Sequence, residues 1–341
     1  MSSIKNTTVA PGIAEVFSRF FDGAPASADI IDTTRGDGDF RVTFIVTTEA
    51  GERYVLKFAS NDFTFPERIR AWQRTAEEYR ALGYYCPQIF CDKSGGFPTV
   101  EYKGNTCVVY AEEFSKYKPL TDRAEEDGEE PSLDTGEYFE DIWSMTAKIA
   151  AKRFDYTEYP SAYCLFTTFC PSDERDEVLD NALEWKRTAD ALPEEFSGRV
   201  QRIWRLWNEN REKLSEVYSG LPTSVFQADL NATNLLIDDS GAFMGVYDFN
   251  LCGRDVFLNY LMRENSSDTI PRALTIACRH YAFSEEEKAA APLLFRCLKP
   301  LWYTRVEDLK EAGDDPEKIR ACLDKAEEML AGGLDLASYM G

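Results

Sequence analysis

Within residues 224–255, SVFQADLNATNLLIDDSGAFMGVYDFNLCGRD, three side chains could manage charge on oxygen together: Asp229, Asn234 five residues on, and Asp248. Residues 235–237 read as a short buried strand, 238–241 as a turn and 243–247 as the returning strand. Such a hairpin brings Asp248 back beside Asp229 and Asn234. Two carboxylates and an amide carbonyl then converge, all of them hard oxygen ligands. Two of them could hold Mg²⁺ against nucleotide phosphates, leaving a carboxylate to orient and deprotonate an attacking hydroxyl. The spacing fits the phosphoryl-transfer template D-x-x-x-x-N followed by D-F-G, with Asn250 in place of the glycine. The plainer alternative is a β-hairpin with two turn aspartates and a capping asparagine. The second Asp-Phe at hairpin distance favours the chemical reading.

The elements that must position this cluster lie upstream. Residues 40–46 and 53–58 are rich in β-branched and aromatic types and read as two strands of a meander joined by a turn at 49–52. Lys57 interrupts the second strand, as in the V-A-I-K strand whose ammonium pairs with nucleotide phosphates; a lysine on a solvated strand face is the bland alternative. Gly36 and Gly38, at the tip 35–39, could let backbone N–H groups approach phosphates, or could serve a plain turn. Apolar spacing at Ile13, Val16, Phe17, Phe20 and Phe21 predicts an amphipathic helix packed on an edge of the following sheet. Pro66-Glu67 opens a further helix running to about residue 82. Short strands are expected near 87–91, 97–102 and 106–111, then an acidic loop over 121–131. The remainder is helical in pattern, with a capping box at 284–287, a helix start at Asp315-Pro316 and a stop at Gly332-Gly333.

The cluster 224–255 resembles the catalytic core of the aminoglycoside phosphotransferase and choline kinase family, whose pattern is H-G-D-x-x-x-x-N, a hairpin, then I-D-[FW]. The resemblance spans about residues 35–260 and is sharpest at 224–255. It implies an α+β, two-lobed, protein-kinase-like fold with a small antiparallel-sheet N-lobe (1–113) and a mostly helical C-lobe (114–341) carrying the catalytic loop. By position, Asp229 resembles the catalytic base, Asn234 and Asp248 the Mg²⁺ ligands, and Asp255 the aspartate of a turn that braces the catalytic loop. A helix glutamate usually faces the strand lysine. Here that place falls near Trp72 or Gln73, so Glu77, one turn further, is the substitute, with Gln73 as the alternative. Backbone groups at Ala111 to Glu113 would meet the adenine edge. The acceptor pocket would lie towards the C-terminal helices, with Trp302, Tyr303, Glu140, Asp141 and Glu184 as candidate lining. Gln227 stands where the family carries histidine, and Gln cannot titrate.

Composition sets the outer bounds. With 60 acidic against 38 basic residues, the net charge of −22 opposes binding of nucleic acid or anionic membranes and would favour a cationic small molecule. Nine scattered cysteines without a C-x-x-C pair read as reduced and mostly buried, and a single histidine excludes histidine-rich metal sites. No apolar run approaches the ~20 residues of a membrane span, and the N-terminus has no signal-peptide core, which points to the cytoplasm. The expectation is therefore an ATP- and Mg²⁺-dependent kinase acting on a small-molecule hydroxyl such as an aminoglycoside, choline or ethanolamine, homoserine or a sugar. The altered Gln227 and Asn250 motivate an alternative: a catalytically weak nucleotide-binding regulator.

Overall fold

The computed structural model describes residues 3–7, 9–36, 38–122, 135–332 and 335–341. Asp37 of the glycine tip and most of the acidic loop expected at 121–131 lie outside the described residues. The chain divides into two compact units: Met1–Gly136, Cys170–Ser172 and Asp229–Gly253 form the first, and Glu137–Phe169, Asp173–Ala228 and Arg254–Gly341 the second.

In chain order the first unit holds β1 (Ser3–Thr7), α1 (Pro11–Phe20), β2 (Pro25–Asp32), β3 (Phe40–Thr48), β4 (Arg53–Ser60), α2 (Pro66–Ala81), β5 (Ile89–Phe90), β6 (Thr99–Tyr102), β7 (Asn105–Glu113) and β8 (Lys118–Pro119). The second unit supplies α3 (Phe139–Lys152), α4 (Glu177–Asp190), α5 (Ser197–Tyr218) and β9 (Thr223–Phe226). The chain then returns to the first unit for β10 (Leu235–Ile237) and β11 (Phe243–Val246). After β12 (Gly253–Val256) it completes the second unit with α6 (Phe257–Glu264), α7 (Ile270–Ala277), α8 (Glu285–Leu298), α9 (Tyr303–Ala312) and α10 (Pro316–Ala331). The expected strands and helices are present with ends shifted by a few residues.

The main sheet runs β1-β2-β3-β4-β7-β5, with β6 also on β7 and every neighbour antiparallel. Strand side chains alternate between faces, so each strand divides its residues between two environments. Val42, Phe44 and Val46 of β3, Leu56 and Phe58 of β4, and Cys107, Val109 and Ala111 of β7 form one apolar face. Ile13, Val16, Phe17 and Phe20 of α1 cover it. Phe21, just beyond α1, stacks on Tyr54 at 4.0 Å and meets Phe90 edge-on at 5.3 Å. Burying side chains of this size contributes about 1.5–3 kcal/mol each. The opposite face carries Arg41, Thr43, Lys57 and Tyr110. It is left for chemistry.

The hairpin β10–β11 pairs Leu235 with Val246 and Leu236 with Gly245, and β8 adds to its other edge. Its turn is closed by Asp238, whose Oδ1 accepts from the N–H groups of Ser240 and Ala242, both at 2.9 Å. Gly245 sits under the backbone of Tyr85: Tyr85 N–H donates to Met244 O at 2.8 Å and Val246 N–H to Tyr85 O at 3.1 Å. A Cβ on Gly245 would lie 1.9 Å from the Tyr85 carbonyl oxygen, so only glycine permits this approach.

The second unit is built from helices with buried aromatic ridges. Trp143, Trp185 and Trp207 are core residues, and Trp207 Nε1–H donates to Cys297 O at 3.0 Å. The expected capping box opens α8: Glu287 N–H donates to Ser284 Oγ at 3.2 Å and Ser284 N–H returns to Glu287 Oε2 at 2.9 Å. Asp315 caps α10, and Gly332 ends it. Asp255 is buried and accepts from Ser161 Oγ at 2.8 Å, Tyr218 OH at 3.2 Å, Val256 N–H at 2.7 Å and Asn259 Nδ2 at 3.0 Å. Those partners all belong to its own unit. Burial pushes its carboxyl up to about 6 in spite of the four donors. Among the described residues, no helix is long and apolar enough to cross a membrane.

Gly245→Ala is expected to destabilise the protein by at least about 2 kcal/mol, because Tyr85 and the strand cannot both keep their positions. Chemical denaturation measures it. A loss under about 0.5 kcal/mol, the size of an ordinary surface change, would show that the contact is not constrained.

Candidate active site

The polar face of the main sheet is where the sequence-identified groups meet. Antiparallel register sets Thr43 opposite Lys57, Arg41 opposite Ala59, and Tyr110 opposite Lys57 on the other side. These residues line a cavity of about 450 Å³ together with Asp229, Asn231, Asn234, Asp248 and Asn250. Lys57, Asp229, Asn234 and Asp248, assigned from sequence to a single reaction, are thus brought to one place.

The loop before β10 is tightly self-bonded. Asp229 Oδ2 accepts from Asn234 Nδ2 at 2.8 Å, its Oδ1 from Asn231 Nδ2 at 2.6 Å, and its backbone oxygen from Asn234 Nδ2 at 3.0 Å. Because the Asn234 amide nitrogen faces Asp229, its carbonyl oxygen is turned the other way. Asn234 N–H donates to Asn231 O at 2.9 Å, and Tyr247 N–H to Asn234 O at 3.2 Å, tying the loop to the strand that delivers Asp248. Ala228 and Asp248 adopt left-handed φ values of 66° and 58°. Non-glycine residues seldom do so, at a cost of about 1–3 kcal/mol, and such strain gathers at sites of function.

Lys57 Nζ lies 3.1 Å from Glu112 Oε1 and 3.2 Å from Asp248 Oδ1. Burial works against its charge. The Asp248 and Glu112 carboxylates outweigh that and hold its pKa well above the ordinary lysine value. Glu112 is itself buried, which pushes its carboxyl up against the opposing pull of Lys57.

Glu112 corrects the expectation for Glu77. On α2 the inward face is Ile69, Trp72, Thr75, Ala76 and Tyr79. Glu77 points outward, its side chain half exposed and 3.9 Å from Arg74. Gln73 Nε2–H donates to Ile89 O at 2.8 Å. Trp72 fills the place where a helix carboxylate would stand, its ring 5.8 Å from that of Tyr110. The helix still reaches the Asp-Phe-Asn segment, but through apolar and weak polar contacts: Tyr79 meets Phe249 edge-on at 5.7 Å, and Cys252 Sγ–H donates to Thr75 Oγ1 at 3.1 Å. Alternation along β7 was the available signal, since it sets Glu112 on the same face as Tyr110, diagonal to Lys57.

The expectation for Ala111 to Glu113 also changes. Ala111 and Glu112 are flanked by β4 on one side and β5 on the other, and Glu113 N–H donates to Gln88 O at 2.8 Å. The chain leaves this ladder only after Glu113. At the glycine tip, Arg35 N–H donates to Asp39 O at 3.0 Å, and Gly36 and Gly38 are at positive φ.

Of the acceptor candidates, Trp302 and Tyr303 line a separate cavity of about 370 Å³ in the second unit, together with Arg263, Glu264, Lys299 and Arg305. Glu140 pairs with Arg279, and Glu184 with Lys310 and Arg187, both at 2.9 Å.

The model of the phosphotransferase enzyme family matches residues 33–259, well over half of the 341. The chain belongs to that family. Among solved structures it is similar to a microcompartment-associated aminopropanol kinase, at 15% identity, TM-score 0.53 and 94% coverage of each chain. It is also similar to an amicoumacin kinase solved with AMP-PNP and Ca²⁺, at 11% identity and TM-score 0.50, covering 94% of this chain and 92% of that one. Both likenesses support the expected protein-kinase-like fold, an antiparallel-sheet region followed by a mostly helical one. No curated protein sequence matches the chain.

Glu112→Gln should cost about 1–3 kcal/mol of stability by leaving a buried ammonium short of a partner, whereas Glu77→Gln should stay within about 0.5 kcal/mol. Thermal melts of the two variants compare them directly. Equal effects would remove Glu112 from its assigned role.

Proposed function

We propose that the protein transfers the γ-phosphoryl group of ATP to a hydroxyl of a small molecule, with Mg²⁺ as cofactor. The observation that carries this reading is the common cavity of Lys57, Asp229, Asn234 and Asp248. Family membership and the fold are consistent with it.

Asp229 takes the hydroxyl proton. Its two oxygens accept from Asn231 and Asn234, which fixes the carboxylate. Lys57 neutralises phosphate charge, and Glu112 keeps its ammonium in position. The donor set suits a hard divalent ion: the Asn234 side-chain carbonyl, which faces away from Asp229 and accepts from Thr233 Oγ1 at 3.4 Å, the Asp248 carboxylate, and Asn250 Oδ1, which is buried with no partner. A divalent cation held there would supply positive charge against the phosphate oxygens of a bound nucleotide. Gln227 is fully buried and is not among the residues that line the cavity.

The acceptor reading is a small polar hydroxyl compound. The net charge of −22 favours a cation through the summed field of the surface. The second-unit cavity beside Trp302 does not add to this, because Arg263, Lys299 and Arg305 outnumber Glu264 there.

Asp229→Ala should lower turnover by about 10²–10⁴-fold and leave nucleotide affinity within about threefold. Asn234→Ala and Asp248→Ala should weaken MgATP binding far more than binding of metal-free ATP, as read by calorimetry. Near wild-type turnover in the Asp229 variant would sink the assignment of the base, and equal losses with and without metal would make Asn234 and Asp248 structural. A screen of amino alcohols and aminoglycosides against neutral sugars and nucleosides tests the acceptor. A cation attracted by the surface field should show a KM that rises with salt, since exposed charges are screened beyond about 8 Å at physiological ionic strength. Turnover of neutral sugars alone would remove the charge argument.

A further inference from the structure

Besides Lys57, two arginines line the cavity, Arg35 and Arg41, that the reaction as described does not use. Arg41 lies on β3, on the same face as Lys57 and one pleat along, and its side chain is 17% exposed. Its backbone is pinned to the segment just before the glycine tip: Thr33 N–H donates to Arg41 O at 3.0 Å, and Arg41 N–H to Thr34 Oγ1 at 3.2 Å. Its guanidinium is held at one corner, where Nη2 donates to Asp39 Oδ2 at 2.9 Å. Asp39 Oδ1 in turn accepts from Asn61 Nδ2 at 3.0 Å, and Asn61 Oδ1 accepts from Thr64 N–H at 2.8 Å. The chain Thr64–Asn61–Asp39 therefore sets the plane of the guanidinium.

What this arrangement leaves over is the telling feature. Arg41 Nε is buried with no hydrogen-bond partner. A buried N–H without an acceptor is costly, and an ion pair with Asp39 alone would not require it. Arginine could meet that carboxylate equally well with its whole fork turned towards it. Instead one edge is spent on Asp39, and the side chain lines the cavity that also holds Lys57, Asn234 and Asp248. A fixed guanidinium edge beside hard-cation ligands suits an oxygen-rich, multiply charged anion.

We infer that Arg41 grips the terminal phosphates of the bound nucleotide, as a second clamp beside Lys57. This rests on the phosphotransferase reading and adds to it a residue that ranks nucleotides by phosphate count. Asp39 and Asn61 are positioning residues, acting through Arg41.

The test is binding of MgATP, MgADP and AMP to the wild-type full chain and to Arg41→Met and Arg41→Lys, by calorimetry. Arg41→Met should weaken MgATP at least about tenfold, the loss of one charge-assisted contact, and leave AMP within about twofold. Arg41→Lys should fall between, because it keeps a charge and loses the fork. If Arg41→Met does not fold, as judged by its thermal melt, Arg41→Lys alone carries the comparison, with loss at ATP and none at AMP. Unchanged MgATP affinity in a protein that still transfers phosphate overturns the inference and leaves the kinase reading standing. Equal loss for ATP and AMP also overturns it, since that is the signature of a structural arginine. A wild-type chain that binds no nucleotide ends both.

Discussion

The ammonium of Lys57, held between Glu112 and Asp248, is the constraint on which the site depends. Removing a charge from water costs several kcal/mol per ion, and the mutual attraction of a pair offsets this only when the geometry is good. Contacts of 3.1 and 3.2 Å on two sides supply that geometry, and they come from different parts of the chain. Glu112 arrives by strand register and Asp248 by the return of the β10–β11 hairpin. The hairpin must therefore dock correctly, which is why Gly245 has no room for a side chain under Tyr85. Formally the three charges sum to minus one, and Asp229 adds another. On the proposed reading a triphosphate entering such a cavity would need cations. Lys57 and Arg41 would supply two, Arg35 lies on the same cavity wall, and the oxygens of Asn234, Asp248 and Asn250 are the ligand types that would recruit a metal ion.

The same sheet serves stability and chemistry by the alternation of its strands. Val42, Phe44, Leu56 and Phe58 turn to α1, while Arg41, Thr43 and Lys57, their immediate neighbours in sequence, turn to the cavity. A register slip by one residue would exchange the two sets. That would bury Arg41 and Lys57 against Phe17, so the hydrophobic core enforces the register that places the cations.

Much of this was legible in the sequence, because local patterns encode it. Asp229, Asn234 and Asp248 could be read from spacing around a hairpin whose turn chemistry is explicit at 238–241. Lys57 stood out as a charge inside an apolar strand. The partner of Lys57 was not legible in the same way. Choosing Glu77 meant extrapolating along a helix by turns, yet the phase of α2 is set by which face packs inward, and Trp72, Thr75 and Tyr79 won that face. Glu112 was hidden inside a strand assigned to backbone recognition of adenine, and only the pairing of Lys57 with Tyr110 discloses the diagonal contact. The orphan Nε of Arg41 has no signature in sequence at all, since it exists only once Asp39 and Asn61 have taken up their places.

Replacing a helix carboxylate by Glu112 also changes what can move. Where a strand lysine depends on a glutamate from a separate helix, displacement of that helix breaks the pair and switches the site off. Lys57 and Glu112 occupy neighbouring strands of one sheet, joined by backbone pairing from Tyr54–Glu113 to Ala59–Val108. Separating them would require breaking the ladder itself. The helix α2 keeps a different connection to the site, through Tyr79 against Phe249, and that apolar contact can adjust without disturbing the charges. The strain at Asp248 then falls on a residue anchored from both directions: by Lys57 at its carboxylate and by the packed Phe249 beside it. An ion pair internal to the sheet gives a site assembled by folding.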